Sequence, residues 1–135
     1  MEQKLNQQLI EDEFIRIEAI HRLTDQSLLE RLLQSKDEAD RYAAVESLHD
    51  QATLGRLALQ SADPGIRQRA ARNLTDQAVL AKVALDDSDG LAVEYAIKNL
   101  VDKAVLRNLA QADNGNAYIR KLASDRLVEL GGDQR

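Results

Sequence analysis

One turn-containing phrase, repeated along the chain, constrains its fold more than any other feature. LTDQSLLERLL returns as LHDQATLGRLA, as LTDQAVLAKVA and as LVDKAVLRNLA. Its leading leucine recurs as Leu23, Leu48, Leu74 and Leu100, with a further copy at Leu127, at steps of 25, 26, 26 and 27 residues. Asp25, Asp50, Asp76 and Asp102 keep the same register. So do Leu29, Leu54, Leu80 and Leu106, followed by Leu32, Leu57, Val83 and Leu109. A column of small residues, Ala19, Ala44, Ala70, Ala96 and Ala123, runs between them. A unit this short cannot bury an apolar face alone, so copies must stack to make a core.

Each period reads as two short helices. Helix A starts after the Asp column, where a carboxylate accepts bonds from the first free N–H groups and suits the helix dipole. Leu80, Val83 and Ala84 then fall on one helical face. The loops SKDEAD, SADPG, DDSDG and ADNGN follow, with Pro64 in the second. Helix B is predicted near 16–23, 41–48, 67–74, 93–100 and 120–127, its Ala and Leu columns sharing one side with the opening Arg67 in the third copy. Sustained alternation of apolar and polar residues is absent, which argues against strands. The expected fold is all-α: a right-handed α-solenoid, or α-α superhelix, of about five helical hairpins with a period of about 26 residues. It forms a single domain over 1–135, with residues 1–11 a degenerate N-terminal helix or cap and 131–135 a tail.

Composition agrees with that architecture. The chain is 44% hydrophobic, enough for a continuous core, yet its aromatics are only Phe14, Tyr42, Tyr95 and Tyr118. The core must therefore come from Leu, Ile, Val and Ala. With no cysteine, disulfides, thiolate metal sites and a cysteine nucleophile are all excluded. The start, MEQKLNQQLIEDEF, is too polar for a signal peptide. No apolar run reaches the roughly 20 residues a membrane helix needs. The expected location is cytoplasmic, without membrane partners.

DPGIRQRAARNL at 63–74 resembles the turn and second helix of the HEAT-repeat family, in its short bacterial form similar to phycobilisome-lyase-type repeats. DEADRYAAVESL at 37–48, DGLAVEYAIKNL at 89–100, NAYIRKLASDRL at 116–127 and DEFIRIEAIHRL at 12–23 are similar. The resemblance implies an armadillo-like superhelix serving as a scaffold. It also implies stacked pairs between a turn Asp and an Arg opening helix B: Asp12, Asp37, Asp63 and Asp89 with Arg16, Arg41, Arg67 and Arg120. Val93 replaces the fourth Arg, which leaves Asp89 without a partner in its own repeat. In the longer last loop, Asp113 or Asn114 is expected to stand in for the turn acid. Phe14 and Tyr118, two residues before the Arg column in the first and last copies, are expected to plug the ends.

The helix B segments hold ten Lys/Arg against four Asp/Glu in a chain of net charge −5. Without Arg16, Arg41, Arg67 and Arg120 the excess shrinks to six against four, so most of it belongs to the structural column. What survives is a cluster of Arg69, Arg72 and Lys98 with Lys121 and Arg126. Positions two and six after the Arg column change identity between copies: Glu18, Ala43, Arg69, Tyr95 and Leu122, then Arg22, Ser47, Asn73, Asn99 and Arg126. Varying residues on a fixed scaffold suit a specific surface. The expected partner-binding set is Glu18, Arg22, Arg69, Arg72, Tyr95, Lys98, Lys121 and Arg126, on the concave helix B face. Gln68, beside the Arg column, is expected to matter little.

DDSDG at 86–90 fails as a calcium loop, since the required spacing puts Leu85 and Ala96 at ligand positions. His21 and His49 occupy non-equivalent positions and make a poor zinc site. No phosphate-cradling or nucleophile-elbow motif occurs, and no cofactor is expected. The expected function is a non-enzymatic protein-interaction or scaffolding module with a protein partner, plausibly acidic. The alternative is nucleic-acid binding through the basic patch, against which the net charge argues. A chromophore-lyase-type or base-excision-type enzyme is the third reading, favoured by fold analogy alone.

Overall fold

The computed structural model describes residues 2–111 and 116–131, with residues 2–10 described as backbone. All secondary structure among the described residues is helical: α1 (Glu2–His21), α2 (Gln26–Leu32), α3 (Glu38–Ser47), α4 (Gln51–Gln60), α5 (Pro64–Asn73), α6 (Gln77–Asp86), α7 (Gly90–Asn99), α8 (Lys103–Gln111) and α9 (Ala117–Glu129). The chain divides into two compact units, Met1–Asp50 and Gln51–Arg135. In the first, α1 and α2 both pack on α3. In the second, α4 packs with α5, α6 with α7 and α8 with α9, while α5, α7 and α9 pack in succession.

Carboxylates start most of these helices. Asp25, Asp76 and Asp102 accept bonds from the first-turn N–H groups of α2, α6 and α8. Asp37, Asp63 and Asp89 do the same for α3, α5 and α7, at 2.9, 2.8 and 2.9 Å. Such caps typically stabilise a helix by ~1 kcal/mol. Because these acids are the caps, the second helices open earlier than the Arg-based prediction. Pro64 is not a loop residue but the first residue of α5, where its fixed φ suits a helix start and its missing N–H costs nothing. Helices α3, α5 and α7 each end one residue before their column leucine. Leu48, Leu74 and Leu100 turn into extended backbone, and their side chains are fully buried.

Two ends of the repeat pattern behave differently from expectation. At the first, α1 runs unbroken from Glu2 to His21, so Asp12 lies inside a helix and not in a turn. The α9 cap is Asn116, which accepts from Tyr118 N and Ile119 N at 3.0 and 3.2 Å. It stands four residues before Arg120, as Asp63 stands before Arg67. The expected stand-ins Asp113 and Asn114 lie outside the described residues. At the other end of α9, Gly131 takes φ +79°, a left-handed turn open to glycine, and donates its N–H to Val128 O.

The cores are aliphatic. Leu29, Leu54, Leu80 and Leu106 are buried, as are Ala44, Ala70, Ala96 and Ala123. Between the leucine turns, a side chain holds the backbone together. Gln26 Oε1 accepts from His49 N and Asp50 N at 2.9 and 3.2 Å. Gln51 Oε1 accepts from Thr75 N at 2.8 Å, and its amide donates to Asn73 O. Gln77 Oε1 accepts from Val101 N and Asp102 N at 2.8 and 3.0 Å, while its amide donates to Thr75 O and Asn99 O. One glutamine thus serves backbone groups that neither helix can satisfy.

Removing that amide should cost about 1–3 kcal/mol, because it strands backbone donors and acceptors together. Gln77→Ala should therefore lower the urea midpoint clearly, and Lys82→Ala, on an exposed part of the same helix, should not. Ala70→Leu should also destabilise, by about 1–3 kcal/mol, through overpacking of a site with no free surface. A wild-type midpoint for Gln77→Ala or Ala70→Leu would contradict the packing described.

Candidate partner-binding groove

The arginine column is structural, with a geometry that differs from the implied pairs. Arg16 reaches forward: its Nη2 donates to Asp37 at 2.8 Å and its Nε to Asp40 at 2.7 Å. Asp40 is buried and also accepts from Ser35 Oγ. The Asp40 hydrogen bond and the nearby carboxylates raise the Arg16 guanidinium above its ordinary value, against a smaller cost of burial. Arg41 and Arg67 donate to the loop carbonyls Ser35 O and Ser61 O, at 2.7 and 2.8 Å. Arg67 Nε also bonds Asp87 at 3.1 Å, with side chains only 17% and 6% exposed. The DDSDG turn is thus a structural one. Asp87 takes the arginine and the Asp89 N–H, and Asp89 caps α7.

Where Val93 replaces the arginine, it is simply buried, and Gln68 takes over. Gln68 Nε2 donates to Asp89 at 2.9 Å, so Gln68 is not a bystander. Burial works against the Asp89 carboxylate. The Gln68 amide, the Ala92 and Leu91 N–H groups and the Arg67 charge outweigh it and hold the carboxyl below its ordinary value. Arg120 is half-buried in the first turn of α9.

The surface residues separate into three groups. Asn99 is structural: its amide donates to Ala71 O, Arg72 O and Leu74 O at 3.1, 2.7 and 3.2 Å, closing the C-terminus of α5. Arg126, one period on, does the same with Nε to Leu100 O at 3.0 Å, which gives this expected binding residue a structural duty. Arg69, expected to bind a partner, is half-buried and donates to Gly65 O at 3.0 Å. Glu18 and Arg22 are exposed on and beside α1 in the first unit, away in sequence from the rest. Phe14 and Tyr118 are exposed and plug nothing.

Arg72, Tyr95 and Lys98 do come together. The Arg72 guanidinium lies 5.8 Å from the Tyr95 ring centre, within cation–π range. Between α7 and α9 a groove of about 310 Å³ is lined by Leu91, Tyr95 and Leu122, with Lys98 and Arg126 on its margin. Glu94, Asp125 and Glu129 line it too, so its rim is mixed in charge and not basic. Lys121 is held by Asp125 at 3.2 Å, one helical turn on. Tyr118, beside the groove, is held above its ordinary value by burial and then by the charge and hydrogen bond of Glu94. The three acids carry no sequence motif, and only the packing of α9 on α7 brings them into one place. A second pocket, of about 280 Å³, opens at the loops around Arg67, Asp86 and Asp87. Among the described residues no group of His, Asp and Glu is placed to hold a metal ion, and no helix is long and apolar enough to cross a membrane.

No family model, curated protein or solved structure matches the chain.

The Arg67 geometry makes two predictions. Arg67→Ala should cost about 1.5–3 kcal/mol, since it strips hydrogen bonds from a buried carboxylate and a loop carbonyl. A thermal melt checks it against Arg72→Ala, whose side chain is exposed. Asp89 should make stability fall in acid. Its folded value lies below the unfolded one, so its contribution is complete above the ordinary carboxylate range and is lost as pH drops through the lowered value. The melting difference between wild type and Asp89→Asn should therefore narrow as pH falls. A constant difference would mean the carboxylate charge is irrelevant.

Proposed function

We propose that the chain is a non-enzymatic interaction module, a right-handed solenoid of HEAT-like hairpins with a period near 26 residues, that binds a protein partner in the α7–α9 groove. The observation that carries the reading is the division of labour on these helices. Asp caps, glutamines, Asn99 and Arg126 are occupied in holding backbone together. Leu91, Tyr95 and Lys98 recur at helical spacing along α7, line the groove and make none of those bonds. An apolar floor with a charged margin is the anatomy of a protein interface centre. A protein of this kind would act as a scaffold in the cytoplasm.

Nucleic-acid binding is the competing reading. The stacked Arg72–Tyr95 pair and Lys98 favour it. The acids Glu94, Asp125 and Glu129 in the same groove oppose it by repelling phosphate. Catalysis finds less support, because the groove's ionisable groups form no nucleophile–base arrangement of the kind acyl or phosphoryl transfer needs.

The test uses Leu91→Asp with Lys98→Glu, both at exposed positions. The pair should leave the melting midpoint near wild type. It should also abolish capture of whatever protein the wild-type chain retains from lysate in the presence of nuclease. Capture that survives the substitutions would remove the groove from consideration, and capture that vanishes with nuclease alone would favour nucleic acid.

A further inference from the structure

We infer that the occupant of the α7–α9 groove is an amphipathic helix, which lays aliphatic side chains on Leu91, Tyr95 and Leu122 and sets a carboxylate between Arg72 and Lys98. This deepens the proposed partner site and rests on it.

The form of the floor selects a helix. The groove walls are themselves helical, and the first N–H groups of α7 are taken by Asp89. Such walls offer no edge to which a strand could add, and an extended chain draws much of its affinity from that kind of pairing. A helix arrives with its own backbone already bonded. Its spacing fits as well. Leu91, Tyr95 and Lys98 follow one another along α7 at one contact per turn, over roughly 10 Å. Three same-face residues of a second helix cover that length, whereas three on a strand cover about 13 Å.

Charge then fixes what stands at one end. The charges on α9 are matched among themselves: Lys121 holds Asp125 at 3.2 Å, and Arg126 holds Glu129 at 3.3 Å. Glu94 accepts from the hydroxyl of Tyr118 on α9, which lies on the far side of α7 from α5. Arg72 and Lys98 remain. Both are exposed, and among the described residues neither is bonded to a carboxylate. They hold the same position in successive copies, on α5 and α7, which pack together. Arg72 lies over the Tyr95 ring, 5.8 Å from its centre, one turn before Lys98.

Neighbouring helix axes stand about 8–10 Å apart, so one carboxylate can accept from both of these long side chains. Two like charges side by side repel each other, and an anion between them relieves that repulsion while adding its own bonds. An acid set nearer Leu91 would instead meet Glu94. The carboxylate therefore belongs at the Lys98 end of the occupant's apolar face.

Selection from a displayed library of single-helix peptides, randomised along one face, tests this with the full chain as bait. Enriched peptides should carry aliphatic residues at helical spacing and Asp or Glu one turn beyond them. A synthetic copy of the dominant peptide should bind about tenfold or more weakly to Arg72→Glu with Lys98→Glu, and selection on that variant should favour Lys or Arg at the same place. The milder Arg72→Gln with Lys98→Gln should weaken binding in the same direction. Both positions are exposed, so the melts should match wild type. A peptide that is lost with Leu91→Asp but keeps full affinity for the charge-reversed pair overturns the carboxylate and leaves the groove standing as the partner site. One that binds Leu91→Asp as tightly as wild type lies elsewhere, and both readings fall. Failure to enrich any helical peptide overturns the inference alone if lysate capture still depends on Leu91 and Lys98. A single-stranded oligonucleotide as the sole ligand, released by the charge-reversed pair, overturns it too and assigns the two cations to phosphate.

Discussion

The structure depends on satisfying the backbone where one helix stops and the next begins. Short helices have a large share of their peptide groups at their ends, so a fold made of ten-residue helices is mostly a problem of termini. Here the solution is side-chain amides and carboxylates at fixed positions. Aspartates take the N–H groups, Asn99 and Arg126 take the carbonyls, and Gln26, Gln51 and Gln77 bind the leucine turns. By pairing peptide groups beside the buried leucines, these side chains lower the cost of burying them.

That dependence explains why much of the helical fold was legible in the sequence. Leucine and alanine columns report burial directly, and the aspartates report helix starts, so helix number and order follow from counting. The first helix is the exception. Asp12 matches the turn aspartates in register, but no proline, glycine or serine stands near it to break the helix, and α1 continues through. Asn116 was hidden by the longer loop, although its distance from Arg120 would have found it.

The binding surface was less legible, because variation between copies does not distinguish a free side chain from one with a local duty. Asn99 and Arg126 differ in type yet do the same work, since an amide and a guanidinium both donate to carbonyls. Gln68 looked incidental because its partner Asp89 lies in the next turn. The mixed charge of the groove depends on Glu94 and Asp125 meeting across two helices, which no linear spacing encodes. The glutamine column was in plain view within the repeated phrase. Its role required knowing that the turn one period ahead comes within reach.

The glutamines also bear on chemical ageing. Gln77 uses its oxygen to accept and its nitrogen to donate, so both ends of the amide are committed. Hydrolysis to a carboxylate would keep the acceptor facing Val101 N and Asp102 N. It would replace the donor by an oxygen set against Thr75 O and Asn99 O, turning two attractions into repulsions. The four bonds together hold the amide in one orientation. Damage at this position should therefore be costly once present, and peptide mapping of heat-aged protein alongside its melting curve would show it.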